Sequence, residues 1–209
     1  MTTSEANSTA SHELPSTPMD QGLVAGRAGK IKVSMISLCG CWGCTLSLLD
    51  VDERLLALLD HITILRSSLT DIKRIPERCA IGFIEGGVAN EENIETLQHF
   101  RANCDVLISV GACAIWGGVP AMRNMFDLKD CLAEAYLNSP TAVPGVEPVI
   151  PFHREIPVLT TKVYPCHEVV KMDYFIPGCP PEPDAILTVL NDLIEGRPVT
   201  LPKSLNRFD

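Results

Sequence analysis

The sequence predicts an α/β protein built on a parallel sheet with helices on both faces. Apolar, strand-like runs alternate along the chain with runs of helical periodicity, which is the pattern of successive strand–helix units. The strand-like runs show little alternation of apolar and polar residues, as expected for strands that are buried on both faces. At 209 residues the chain is long enough for one domain with a sizeable core.

The predicted elements begin with a β-branched strand at 30–38, which runs into a cysteine-rich turn. The later elements are a helix at 45–59, strands at 62–66 and 79–84, a helix that Asn90 caps and that ends near 103, a strand at 105–110, a helical stretch that ends near 137 with a break near 127, a strand at 174–176, and a helix at 182–195 that Gly196 ends. Residues 111–120, after the fourth strand, are predicted to be a loop. Because crossover connections are right-handed, the carboxyl ends of all the strands lie along one edge, where open α/β sheets bind their ligands.

Two segments fall outside this alternation. Residues 1–28 are predicted to be a flexible N-terminal arm, since most of this stretch is rich in Ser, Thr, Ala and Pro. Residues 138–166 hold six prolines, which forbid a long helix or a central strand. We therefore expect a single domain at 29–209 with a Pro-rich excursion over its surface at 138–166.

Composition narrows the possible partners. The chain has 17 basic and 26 acidic residues and a net charge of −9, which argues against a nucleic-acid or anionic-membrane surface. It contains no apolar run of the roughly 18 residues that a membrane span needs, and its start has no signal-peptide pattern. A cytoplasmic location is therefore expected. Hydrophobic residues make up 46% and charged residues only 21%, which suggests that a partner covers some apolar surface.

The candidate site consists of cysteines that follow three different strands. Cys41 and Cys44 follow the first strand, Cys113 follows the fourth, and Cys179 follows the last, all in loops that contain Gly or Pro. Without an export signal the nine cysteines should stay reduced, and an odd number cannot all pair within the chain. Four thiolates from three loops suit either a [4Fe–4S] cluster or a tetrahedral zinc ion.

Other residues near this edge have simpler interpretations. Cys39 is interpreted as a spare thiol, and Cys166 with His167 as a structural pair. The remaining cysteines, Cys79, Cys104 at the end of a helix, and Cys131, are expected to be buried small hydrophobes. Glu85 ends the third strand at the same edge, where it could relay protons. It could equally be an exposed loop acid or a cap on the amides of residues 86–88.

Three rival functions use the same residues. The site could be a structural zinc centre, or the chain could be an FMN-binding electron carrier. Cys41 and Cys44 could also form the reactive pair of a thiol–disulfide oxidoreductase. Phosphate-loop, dinucleotide-binding and nucleophile-elbow motifs are not found.

Four motifs carry a resemblance to a known family. They are Cys-Gly-Cys-Trp-Gly-Cys at 39–44, Glu-Gly at 85–86, Gly-Ala-Cys-Ala-Ile-Trp-Gly-Gly-Val-Pro-Ala at 111–121, and Ile-Pro-Gly-Cys-Pro-Pro at 176–181. Together they resemble the small subunits of [NiFe] hydrogenases, most closely those of the cytoplasmic, bidirectional NAD-reducing enzymes. The resemblance covers residues 30–200.

The resemblance implies a flavodoxin-like fold in which Cys41, Cys44, Cys113 and Cys179 hold one [4Fe–4S] cluster. It implies a partner large subunit that carries the Ni–Fe site and splits H2, and flavin- and cluster-bearing partners that pass the electrons to NAD+. Glu85 would lie near the cluster and the large-subunit contact. An FMN bound to this chain is possible, but nothing in the sequence indicates it.

Departures from related subunits refine the prediction. Small subunits of exported hydrogenases carry a twin-arginine leader and a C-terminal domain for further clusters, and this chain shows neither. One cluster and a cytoplasmic enzyme are therefore expected. The related subunit of respiratory NADH:quinone oxidoreductase has two adjacent cysteines after the first strand. Gly40 separates Cys39 from Cys41 here, which disfavours that assignment.

Overall fold

A computed structural model describes residues 29–141, 143 and 145–207 of the chain. The strands are β1 Ile31–Ser37, β2 Ile62–Arg66, β3 Cys79–Glu85, β4 Val88–Asn90, β5 Cys104–Val110, β6 Leu159–Tyr164 and β7 Tyr174–Ile176. The α-helices are α1 Gly43–Leu49, α2 Arg54–His61, α3 Glu91–Asn103, α4 Ala112–Trp116, α5 Leu128–Leu132 and α6 Pro183–Ile194. Short 3-10 helices span Pro120–Met125 and Cys166–Glu168, and a π-helix spans Ala133–Leu137.

The main sheet has five parallel strands in the order β2-β1-β3-β5-β7. Counting only these five strands along the chain, the order is the 2-1-3-4-5 of flavodoxin-like folds. The predicted α/β class, the parallel sheet and the flavodoxin-like arrangement are confirmed. Apolar residues of α1, α2 and α6 pack on one face of the sheet, and those of α3 pack on the other. Helices on both faces are therefore confirmed as well.

The prediction of one continuous helix at 45–59 was wrong. The chain leaves the helical path after Leu49 and resumes it at Arg54, which gives α1 and α2. Asp52 has a φ of 55°, a left-handed conformation that aspartate tolerates better than most residues. The turn buries Val51 completely, so packing of that side chain decides where the helix breaks.

Two further elements lie where the sequence predicted loop. The predicted loop at 111–120 contains α4, and the Pro-rich segment contains β6. β6 pairs antiparallel with β4 and lies outside the parallel sheet. Cys104, predicted to end a helix, is instead the first residue of β5. The N-cap prediction for Asn90 is confirmed, because its Oδ1 accepts a 2.8 Å hydrogen bond from the Asn93 amide.

The described ranges contain no helix that is both long and apolar enough to cross a membrane. The predicted N-terminal arm, residues 1–28, lies outside the described residues. These elements bring the loops after β1, β3, β5 and β7 to one edge of the sheet, where the predicted cysteines lie.

Candidate metal centre

The four predicted cysteines lie at the carboxyl-terminal edge of the parallel sheet. Cys41 and Cys44 follow β1, with Cys44 inside the first turn of α1. Cys113 lies in α4 directly after β5, and Cys179 follows β7. Cys41 and Cys179 are exposed, whereas Cys44 and Cys113 are half-buried. All four are free thiols along one rim of the protein.

Backbone hydrogen bonds fasten the cysteine loops to one another. The loop after β5 is tied to the loop after β7, because the amide of Gly111 donates to Ile176 O and that of Ala112 to Gly178 O, both at 2.8 Å. The loop after β1 is tied to the loop after β3 by two bonds between the backbones of Cys39 and Gly87, at 3.0 and 2.8 Å. Backbone hydrogen bonds thus join the loops of this edge in two pairs.

Helix α1 is attached to the Cys179 loop by a side chain. The Ser47 hydroxyl is buried and donates a 2.5 Å hydrogen bond to Pro181 O. Ser47 lies one turn beyond Cys44 in α1, and Pro181 lies two residues beyond Cys179. The contact therefore sets the distance between two of the three cysteine loops.

Two glycines leave room for the thiols. Gly111 has a φ of 83°, and a Cβ there would lie 2.3 Å from Cys44 Sγ. Gly118 has a φ of 49°, and a Cβ there would lie 2.9 Å from Cys113 Sγ. The loops can approach the cysteine sulfurs this closely because both positions lack a side chain.

The thiols are near enough to affect one another's ionisation. Burial raises the pKa of Cys44, and the Glu85 carboxylate and the other three thiols raise it further. Burial also raises the pKa of Cys113 against a lowering contribution from a backbone hydrogen bond at Val119, and Cys179, Cys41 and Cys39 raise it further. Four thiolates would therefore repel one another strongly at this edge. A cationic group among them would relieve that repulsion and favour the ionised form.

Glu85, the last residue of β3, is buried and caps α1. Its Oε2 accepts hydrogen bonds from the amide and hydroxyl of Thr45, at 3.0 and 2.6 Å. Its Oε1 accepts a longer one, 3.3 Å, from the amide of Cys44. The alternatives of an exposed loop acid and of a cap on residues 86–88 were both wrong, because the side chain points across to the turn after β1. The carboxylate braces the backbone of a candidate ligand.

The other cysteines lie outside the set of four. Cys39 is half-buried in the bridge to Gly87, and burial raises its pKa while the nearby Arg123 lowers it. Cys79 and Cys104 are fully buried as expected, whereas Cys131 in α5 is half-buried, which corrects that prediction. The helix that carries Cys131 contributes no buried residue to the core, which explains the exposure.

Cys166 and His167 have structural surroundings. Cys166 is buried, and its thiol lies 3.4 Å from Gly86 O, to which it donates. His167 is exposed and packs edge-on against the Phe175 ring, with the ring centroids 6.1 Å apart. These contacts agree with the structural interpretation of the pair.

Two site-supporting residues were missed by sequence reasoning. Asn124 accepts from the Val163 amide and donates to the Val163 carbonyl, at 2.8 and 2.9 Å, as a neighbouring strand would. Arg123 donates to Thr160 O at 2.8 Å. Both residues fasten the segment after Cys113 to β6. No local sequence signal marks such contacts, since each joins residues more than 35 positions apart.

The described side chains do not surround a position for a single metal ion. In the part of the chain that the structure describes, no three His, Cys, Asp or Glu side chains are placed to hold a single ion. A tetrahedral zinc ion draws its sulfur ligands to about 2.3 Å from the metal, which the four thiols would reach only by moving.

An exposed apolar strip begins next to Cys113. It is made of Trp116, Val119, Met122, Met125 and Phe126, which are between 42% and 72% exposed. We call these residues the 116–126 strip. Large apolar side chains grouped on a surface mark a contact site for another protein.

Comparison with known proteins assigns this fold and site to a family. The chain belongs to the family described as NADH ubiquinone oxidoreductase, 20 Kd subunit, whose sequence profile matches residues 41–193. Within the family it is a homologue of the NAD-reducing hydrogenase HoxS subunit delta of Cupriavidus necator. The two are 76% identical over 200 residues, which cover 96% of each chain. The predicted resemblance to the small subunit of NAD-reducing [NiFe] hydrogenases is confirmed.

A solved structure and a more distant relative agree. The structure of an NAD+-reducing [NiFe]-hydrogenase in the H2-reduced state contains a chain that is 43% identical, with a TM-score of 0.83 over 87% of this chain and 100% of that one. The iron-sulfur subunit of the F420-non-reducing hydrogenase of Archaeoglobus profundus is 30% identical over 79% of this chain. The match covers 56% of that longer relative.

Proposed function

We propose that this chain is the electron-transfer small subunit of an NAD-reducing hydrogenase and that Cys41, Cys44, Cys113 and Cys179 bind one [4Fe–4S] cluster. The observation that carries the proposal is the convergence of these four cysteines, from three loops, on one edge of a sheet. The 76% identity to a subunit of an NAD-reducing hydrogenase supports the same function.

The residues at the edge fit a cluster. All four donors are thiols, the ligands that iron–sulfur clusters use. Their mutual repulsion calls for a group that brings positive charge among them. Two glycine-bearing loops approach the sulfurs closely, because a side chain at Gly111 or Gly118 would meet the sulfur of Cys44 or Cys113.

The chain's own residues hold and position the site. The bonds between the loops after β5 and β7 keep Cys113 next to Cys179. Glu85 holds the first turn of α1, and with it Cys44, against the end of β3. A bound cluster supplies one-electron transfer at this edge. Proton relay by Glu85 remains a prediction, and its present contacts are those of a cap.

Hydrogen cleavage belongs to a partner. The sequence contains a single Cys-x2-Cys pair, whereas the family's Ni–Fe site requires two. We infer that the large subunit covers the 116–126 strip, which begins three residues after Cys113. Flavin- and cluster-bearing subunits would then carry the electrons to NAD+. The cytoplasmic location stays a prediction.

The rival cofactors find less support in the described residues. The cavity lined by Cys44, Thr45 and Glu85 has a volume of about 20 Å³, which admits one water molecule and not a flavin ring. A zinc ion would bring no acid-labile sulfide, so metal analysis distinguishes it from a cluster. Thiol–disulfide exchange by Cys41 and Cys44 alone would not explain why Cys113 and Cys179 lie at the same edge.

The test is metal analysis of the hydrogenase complex purified without oxygen. Iron, acid-labile sulfide, zinc and flavin are measured for wild type, Cys179→Ser and the matched control Cys131→Ser. We expect iron and sulfide to fall in Cys179→Ser and to stay at the wild-type level in Cys131→Ser. The wild-type complex should also reduce NAD+ with H2. These results together would support the proposal. Zinc that is lost in Cys179→Ser while iron and sulfide stay constant, or equal iron in both variants, would refute it.

The partner surface has a separate test. Met125→Asp places a charge in the 116–126 strip, and Leu56→Asp places one at a similarly exposed position on α2. We expect Met125→Asp to reduce co-purification of the large subunit and Leu56→Asp to leave it unchanged. Equal co-purification of both variants would exclude the strip as the contact.

A further inference from the structure

Cys79 and Cys104 lie side by side at the edge of the sheet opposite the four-cysteine edge. Cys79 is the first residue of β3 and Cys104 the first residue of β5. Their Cα atoms are direct partners across the parallel pair, and both residues are buried. Neighbouring strands lie about 4.8 Å apart, and a disulfide requires Cα atoms about 4.4–6.8 Å apart.

The two thiols interact. A side-chain hydrogen bond joins the Cys104 thiol to the Cys79 sulfur. The Cys79 thiol itself donates to Ile81 O at 3.1 Å and to Lys32 O at 3.2 Å. The bond from Cys104 lowers the pKa of Cys79, and the same bond raises that of Cys104. Cys79 is therefore the sulfur that ionises first, and the thiolate is the form that reacts.

An ion pair holds the two strand starts together and marks the edge as accessible. Arg78 and Asp105, the neighbours of the two cysteines, are joined at 2.6 Å. The Arg78 side chain is 65% exposed, so this end of the sheet lies at the protein surface. Cys79 and Cys104 are themselves buried, so hydrogen peroxide reaches them when the starts of β3 and β5 open locally.

We propose that Cys79 and Cys104 are an oxidation site at which peroxide forms an intrachain disulfide between β3 and β5. The Cys79 thiolate attacks one peroxide oxygen, which gives a sulfenic acid and releases the other oxygen as hydroxide. The Cys104 thiol then displaces the sulfenic hydroxyl as water and forms the sulfur–sulfur bond. In sum, two thiols and one peroxide give one disulfide and two waters.

The disulfide would act at a distance from the cluster edge. β3 has seven residues, from Cys79 to Glu85, so the two edges are separated by about 20 Å. The bond would join positions on the two central strands and restrict the unfolded chain. Peroxide should therefore make the fold harder to unfold, a response that the four cluster cysteines do not supply.

Peptide mapping of the hydrogenase complex decides the question. The complex is treated with increasing hydrogen peroxide, denatured with an alkylating agent and digested at Arg and Asp residues. Trypsin gives peptide 79–101 with Cys79 as its only cysteine, and cleavage at Asp105 separates Cys104 from Cys113. We expect a linked peptide that contains Cys79 and Cys104 and that disappears after reduction.

Variants separate the steps. In Cys104→Ser the sulfenic acid on Cys79 has no thiol to react with, so a dimedone adduct should accumulate there, whereas Cys131→Ser should leave the linked peptide unchanged. The urea midpoint of peroxide-treated wild type should rise, and that of Cys79→Ala/Cys104→Ala should not. The wild-type map alone can overturn the proposal. It does so if Cys79 and Cys104 are both recovered as alkylated thiols at a peroxide dose that oxidises Cys131. It also does so if Cys104 forms a disulfide with another cysteine, or if sulfonic acids form on the two residues without a disulfide between them.

Discussion

Gly111→Ala tests how closely the cysteine loops must approach one another. The glycine has a φ of 83° and a ψ of 163°, a region that is essentially reserved for glycine and costs other residues about 1–3 kcal/mol. The added methyl group would also lie 2.3 Å from Cys44 Sγ, and overpacking of this kind costs about 1–3 kcal/mol. Together these give about 2–6 kcal/mol, a large share of the about 5–15 kcal/mol that stabilises a typical domain.

The assay is iron and sulfide content, with a matched control at a second strained glycine. Gly145 has a φ of 81°, and a Cβ there would meet nothing within 4 Å. Gly145→Ala therefore adds only backbone strain and should keep the wild-type iron and sulfide. Gly111→Ala should lose the iron and sulfide of one cluster, because its methyl group displaces the sulfur of Cys44, a proposed ligand.

The opposite result would refute this reasoning. If Gly111→Ala keeps wild-type iron, the Cys44 sulfur does not need the space above Gly111. If both variants lose iron equally, backbone strain and not contact with the ligand is responsible.

Further effects follow from buried groups. Glu85→Ala leaves the Thr45 amide and hydroxyl without their acceptor, so the free energy of unfolding measured in urea should fall by about 2–3 kcal/mol. Glu85→Gln keeps an acceptor oxygen and should lose less. Equal losses in the two variants would contradict the role of Glu85 as a cap. Asp173→Ala removes the carboxylate that forms a 2.6 Å ion pair with Arg101, and the free energy of unfolding should fall by about 2–3 kcal/mol. An unchanged free energy of unfolding would show that water replaces the carboxylate. Burial raises the pKa of Cys166 to about 12, so its contribution to stability is complete below about pH 8.5 and is lost as the pH rises toward 12. The stability of wild type relative to Cys166→Ala should fall above pH 8.5 by up to about 1.4 kcal/mol per pH unit, and a constant difference would contradict the burial.

The sheet was predictable because its strands are recognisable one at a time. The strands at 62–66 and 174–176 have the bounds that the sequence indicated, since each is a short apolar run between polar or turn-forming residues. The four cysteines could be placed at one edge for the same reason, because handedness alone brings the strand ends together. Local pattern and general topology were sufficient for this part.

The other features depend on contacts that are distant in the chain. The break between α1 and α2 depends on where Val51 packs, which helical periodicity does not show. β6 forms only because β4 lies beside it, and the two are about 70 residues apart. The partners of Glu85 were missed because a strand end can point its side chain to either neighbouring loop. Such choices are made by the folded neighbours and not by the local sequence.

The spread of the four cysteines along the chain has a consequence for synthesis in the cell. Cys41 and Cys44 emerge from the ribosome early, whereas Cys179 belongs to the last loop before the final helix. The cluster site cannot exist on a partly made chain, because the edge strand β7 must dock on β5 before its loop reaches the others. If the four cysteines bind a cluster as proposed, iron and sulfide can be loaded only after β7 has been made and has docked. Until then Cys41 and Cys179, the two exposed thiols of the set, have no metal to shield them.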